Sequence, residues 1–185
     1  MMETLHPNAR RDPFGSRINR AQSPLLAYGL PWASILLGSL TPWLPIISPA
    51  PVLPPLGLMM ILAWRLVRPG LLPLWAGVPL GFFDDLFSGQ PMGSGILLFS
   101  LILIGIELIE IRFPWRSFWF DWLTASGIVA MYLVVAGLLS GLGLSLDRLQ
   151  ILVPQLLLSI MLFPFVARLV AHLDRLRLMR VRRIS

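Results

Sequence analysis

The sequence predicts an all-α integral membrane protein of about six transmembrane helices in one compact bundle. Three observations predict it. Only 13% of the 185 residues are charged and 56% are hydrophobic, where a soluble domain carries about 25% charged residues. The uncharged runs are long and joined by short loops, which favours antiparallel neighbours. All 15 basic residues are Arg, and six crossings put 14 of them on one side, leaving only Arg148 on the other. That asymmetry is the positive-inside pattern. An odd number of crossings would send one terminal Arg cluster outside, so the same count favours six, with both termini cytoplasmic.

Composition also narrows the function. There is no Cys, which removes disulfides, thiol nucleophiles and thiolate metal sites. His6 and His172 stand in opposite terminal regions, so a zinc site built from them alone is not expected. No metal or cofactor is implied. The net charge of +6 and pI near 11.4 do not indicate nucleic acid, because the Arg residues flank apolar runs. No small-residue cleavage site follows the first apolar run, which therefore reads as a retained span.

Residues 1–24 carry Arg10, Arg11, Arg17 and Arg20 with Pro7, Pro13 and Pro24. They predict a flexible basic cytoplasmic tail. Residues 25–172 form the six-span domain. The first span is expected over 25–47, kinked or ended early by Pro31, Pro42 and Pro45. A proline-rich external loop follows at 48–55. The second span, 56–67, is short for a bilayer of ~30 Å, and Trp64, Arg65 and Arg68 are expected at the interface. The third runs over 71–87, placing Asp84 roughly 20 Å along the helix from Leu71. The turn at 88–91 leads into a fourth span over 92–111, with Pro91 as a candidate first helical residue. An aromatic, basic stretch, RFPWRSFWFDW at 112–122, predicts an interfacial loop whose Trp115, Trp119 and Trp122 form a belt. The fifth span is expected over 123–144 and the sixth over 149–170. In the tail at 173–185, Leu173, Leu176 and Met179 continue a helical spacing that starts at Val166, Leu169 and Val170. Arg175, Arg177, Arg180, Arg182 and Arg183 fill much of the remainder. This predicts an amphipathic extension that contacts anionic lipid or a cytoplasmic partner.

The acids within the apolar runs are the candidate functional residues. Asp84 and Asp85 are about 100° apart on a helix, so one is expected to turn into the bundle and the other toward headgroups or water. A carboxylate at a helix C-terminus is disfavoured by the helix dipole. It becomes favourable if it reaches the free N–H groups of the next helix. Asp85 is therefore expected to staple the turn through the amides near Met92 and Gly93 and through the Ser88 hydroxyl. Plain hydration of the pair and proton translocation are the other readings, and the latter lacks further polar residues at the same depth. Gly89 is expected at positive φ, and Gly93 is expected to allow close backbone approach. Gly77/Gly81 and Gly137/Gly141, with Gly143, suit helix packing. Glu107 and Glu110 share one face, and an ion pair with Arg112 or Arg65 is expected rather than acid–base catalysis.

The stretch Asp85-Leu86-Phe87-Ser88-Gly89-Gln90-Pro91-Met92-Gly93 resembles the signature of the rod-shape-determining protein MreD family, matching at Asp85, Ser88, Gly89 and Gly93. An extra acid, Asp84, stands where the family more usually has an apolar residue. The resemblance implies a non-catalytic component of the bacterial inner membrane that serves cell-wall elongation. Its implied partners are an MreC-like membrane protein and, through it, the MreB cytoskeleton and a RodA-type synthase. The implied fold also resembles the substrate-binding subunits of energy-coupling-factor transporters. Such a subunit is the alternative function, although the Ala-x-x-x-Ala coupling motif is absent from residues 25–47.

Overall fold

The computed structural model describes residues 24–43, 53–113, 117–141 and 150–178. The N-terminal tail, most of the proline-rich loop, Trp115, Gly143, Asp147, Arg148, Met179, Arg180, Arg182 and Arg183 lie outside the described residues. Among those residues the chain is all helical, without a strand. The α-helices are α1 (Pro24–Ser39), α2 (Leu56–Val67), α3 (Gly77–Ser88), α4 (Ser94–Arg112), α5 (Phe118–Leu139) and α6 (Val153–Arg177). Short 3-10 turns at Thr41–Trp43, Leu74–Ala76 and Gln150–Leu152 adjoin α1, α3 and α6. Among the described residues three segments are long and apolar enough to cross a membrane: Ser94–Arg112, Phe118–Leu139 and Gln150–Arg177.

Prolines and caps explain where several helices depart from the expected bounds. The first ends early, as its prolines lead one to expect: the α-helix stops at Ser39 and a 3-10 turn carries it to Trp43, because Pro42 cannot donate to the Gly38 carbonyl. The Thr41 hydroxyl donates to that carbonyl instead. In the third, Pro73 opens a 3-10 turn and the α-helix begins only at Gly77. Pro91 is not the first helical residue of α4: it stays in the turn, where its carbonyl accepts from Ser94 N at 3.0 Å. The fifth helix starts five residues before the expected position 123, since Ser117 caps it by accepting from Phe120 N at 3.4 Å. Half of the expected aromatic loop is thus helix. The sixth runs without a break from Val153 to Arg177.

Two internal prolines leave carbonyls that distant side chains satisfy. Pro31 in α1 has no N–H for the Ala27 carbonyl four residues back, and Arg177 Nη1 donates to it at 3.1 Å. Pro164 in α6 leaves the Ile160 carbonyl, and Trp122 Nε1 donates to it at 3.1 Å. In an apolar surround an unpaired carbonyl costs several kcal/mol, so a tertiary contact compensates each internal proline.

The centre of the bundle is α2. Leu58, Met59, Ile61, Leu62, Ala63 and Trp64 are all buried, and α2 packs mainly on α1 and α6. With 12 residues it spans roughly 18 Å. Protein surrounds most of its length. Trp64 and Arg65, expected at the interface, are therefore core residues. Trp64 Nε1 donates to Ser34 Oγ at 2.8 Å. Helices α4 and α5 are apolar on both faces: Leu98, Phe99, Ile102, Leu103 and Ile106 point inward, while Leu97, Leu101, Ile104 and Leu108 point out. The inward stripe of α6 runs through Phe163, Val166, Val170, Asp174 and Arg177. It leaves Leu169 and Leu176 exposed.

Arg65 gathers one end of the bundle. It is buried, its Nη1 donates to the Leu72 carbonyl at 2.9 Å, and its Nη2 pairs with Glu110 at 2.9 Å and with Glu107. Arg68 Nε meets Asp174 at 2.9 Å, and Arg177 Nη2 meets the other Asp174 oxygen at 3.1 Å. Those contacts join α2, α4 and α6 at the end where Arg177 also grips α1.

Candidate functional site

The opposite end of the bundle carries the acidic hairpin between α3 and α4. Asp85 is buried in the last turn of α3. Its Oδ2 accepts from Gly93 N at 2.9 Å and more weakly from Ile96 N at 3.4 Å. Its Oδ1 accepts from Gly95 N at 2.6 Å. One carboxylate thus takes the unsatisfied donors at the start of α4, where the helix dipole favours negative charge. Ser94 Oγ lies 3.3 Å from Asp85 Oδ1 but 2.7 Å from the Pro91 carbonyl. Its single proton serves one acceptor at a time, and the shorter contact is to Pro91.

The glycines divide into two roles. Gly89 at φ +67° and Gly93 at φ +94° make the turn, and a Cβ at either would meet nothing within 4 Å. Gly93 therefore supplies backbone conformation, not the close approach expected of it. Close approach belongs to Gly81, Gly95 and Gly77. A Cβ on Gly81 would lie 2.4 Å from the Gly95 carbonyl oxygen, one on Gly95 would lie 2.7 Å from the Gly81 carbonyl oxygen, and one on Gly77 would lie 2.8 Å from the Ser100 backbone. These are backbone obstacles that no rotamer change relieves. Gly81→Ala is accordingly expected to lower the unfolding midpoint of the purified protein by more than Gly89→Asn, which keeps a residue tolerant of positive φ. Thermal denaturation of both variants checks this.

Ser88 does not reach Asp85. Its hydroxyl accepts from Gln90 N at 3.4 Å. Gln90 instead crosses the bundle, donating through Nε2 to the Tyr132 hydroxyl at 3.2 Å while its Oε1 lies 3.3 Å from Ser94 Oγ. On α5, Gly137 is half-buried. Gly141 has φ +85° with open space around it, so it ends α5 and is not a packing residue. In the C-terminal segment Arg175 is exposed, whereas Arg177 is buried. The bonds of Arg177 to Ala27 and Asp174 take it out of the expected surface set.

Asp84 corrects a second expectation. Neither acid turns to water: both are buried, at 7% and 5% exposure. Their separation around α3 sends Asp85 to α4 and Asp84 to a cavity of about 310 Å³. The ends of α1, α2, α3, α5 and α6 all contribute to its wall. Ser39 sits beside the Asp84 carboxylate. The α2 backbone comes close here because position 57 is Gly. A Cβ there would fall 2.2 Å from Ser39 Oγ and 3.1 Å from Asp84 Oδ1. Gln155 Nε2 donates to the Leu53 carbonyl at 2.6 Å on the far wall.

Sequence reasoning found Asp84 and Asp85 but missed Gln90, Gly95, Tyr132 and Gln155. The only local signal for Gly95 is the Gly-Ser-Gly run at 93–95. Tyr132 and Gln155 are single polar groups in apolar helices, and polarity at that depth was the signal available for them. No family model, no curated protein and no solved structure matches this chain.

Proposed function

We propose that the chain is a non-catalytic scaffold of the bacterial inner membrane, of the MreD kind. It crosses the membrane six times with both termini in the cytoplasm and holds an MreC-like partner. Through that partner it reaches the MreB cytoskeleton and a RodA-type synthase. The observation that carries the reading is Asp85 bracing the first turn of α4 across two positive-φ glycines. Asp85, Gly89 and Gly93 are three of the four residues on which the resemblance rests. The brace makes α3 and α4 one stiff hairpin, with Phe82, Leu86, Leu97 and Leu101 exposed along it. Such a flank suits docking of an apolar partner helix. The crossing number is supported by the Arg asymmetry. The basic C-terminal residues would add attraction to anionic lipid of about 1 kcal/mol each.

Photo-crosslinking in living cells tests the proposal. A crosslinker at Phe82 or Leu97 is expected to trap an MreC-like protein. Asp85→Ala or Gly93→Leu is expected to reduce that product and round the cells. Rod-shaped cells in which both variants co-purify with MreC at wild-type levels would refute it. A second reading, a substrate-binding transporter subunit, is favoured by the cavity beside Asp84.

A further inference from the structure

We propose that the cavity beside Asp84 binds an organic ammonium: a primary amine carried on a small apolar body. The site stands on its own chemistry and depends on neither functional reading above. Its volume of about 310 Å³ lies at the lower end of small-molecule pockets, ~300–1,000 Å³. Asp84 supplies a carboxylate, and among the described lining residues there is no Lys, Arg or His to balance it. A phosphate or carboxylate ligand would thus meet charge of its own sign. The second observation is steric and polar. Ser39 lines the same cavity, is 2% exposed and lies beside the Asp84 carboxylate, so hydroxyl and carboxylate form one polar patch on the wall. An ammonium offers three N–H donors, enough to serve Asp84 and Ser39 together.

Two of the neighbouring polar groups spend a proton on backbone carbonyls. The Thr41 proton goes to the Gly38 carbonyl, and Gln155 donates one of its two Nε2 protons to Leu53 O. Leu133 and Ala136 provide apolar wall for the body of the ligand. The ion pairs that involve Arg65, Arg68 and Arg177 are at the other end of the bundle, so none of these Arg residues is available to neutralise Asp84. Among the described residues no cation lines the cavity; a buried carboxylate without a counter-charge is unfavourable, and the ligand supplies that charge.

The test uses the full-length protein in nanodiscs of phosphatidylglycerol, titrated with benzylamine, benzyl alcohol and benzoate. Saturable binding is expected for benzylamine alone, by calorimetry and as a rise in unfolding temperature. Asp84→Asn is expected to weaken it about tenfold or more, the effect of removing a hydrogen bond to a charged group. Ala136→Leu, which fills the cavity and leaves Asp84 in place, is expected to abolish it while circular dichroism and monodispersity stay unchanged. Equal binding of the alcohol, or undiminished binding by both variants, would overturn the proposal. Nanodiscs of phosphatidylethanolamine separate the sources of the amine. Competition there identifies a lipid headgroup, unchanged affinity identifies a soluble amine, and either upholds the site.

Discussion

Replacing Arg65 with Leu will destabilise the protein by about 3–5 kcal/mol, the cost of removing one partner from a buried ion pair. The guanidinium is 1% exposed and joins three groups at once: the Leu72 carbonyl, Glu107 and Glu110. Without it Glu110, whose side chain is 12% exposed, loses this cation. Arg65→Lys will recover only part of the loss, because one ammonium lacks the planar fork that spans a carbonyl and two carboxylates. The double variant Arg65→Leu/Glu110→Gln will be less damaged than the single one. Equilibrium denaturation in mixed micelles, followed by Trp fluorescence, measures all three. A loss below about 1 kcal/mol, the range of exposed pairs, would show that water reaches this cluster.

The second large effect is expected at Asp85. Asp85→Asn keeps the shape and can still accept through one oxygen, but its amide presents N–H groups to the backbone donors of α4. Contacts to Gly93 N at 2.9 Å and Gly95 N at 2.6 Å are both charge-assisted, and each such bond contributes about 1.5–3 kcal/mol. The loss is expected at about 3 kcal/mol or more, since the variant both removes acceptors and opposes donors. The adjacent Asp84→Asn is the internal control. Asp84 faces the cavity rather than the α4 amides, so the same chemical change one residue away is expected to leave the hairpin intact. Hydrogen exchange at the amides of Gly93, Gly95 and Ile96 reads this directly. Faster exchange is predicted for Asp85→Asn only, and equal exchange in both variants would dismiss the brace.

These two clusters differ in how visible they were beforehand. Asp85 and its glycines lie within 11 residues of one another, counting to Ile96, and a helix–turn–helix constrains such short separations strongly. Glu107 and Glu110 were recognisable as an ion-pair face, with Arg65 one of two candidate partners. Choosing between Arg65 and Arg112 required knowing that α2 is the buried axis and that Arg112 is exposed. The proline carbonyls were harder still. That Pro31 and Pro164 free acceptors follows from the chain alone, but their donors are 150 and 38 residues away from the carbonyls they serve.

By itself the sequence determined the chemical class of the molecule, the bounds of α2, and the acid–glycine turn that joins α3 to α4. Composition, proline placement and short-range hydrogen bonding act over a few residues, so they can be read along the chain. Only the tertiary structure decided which apolar face meets protein, that Arg65 and Arg177 are interior, and that Asp84 opens onto a cavity. In an apolar helix of this kind the inward and outward faces are equally hydrophobic. The pattern that would reveal orientation in a soluble helix is therefore missing, and contacts between distant segments have to supply it.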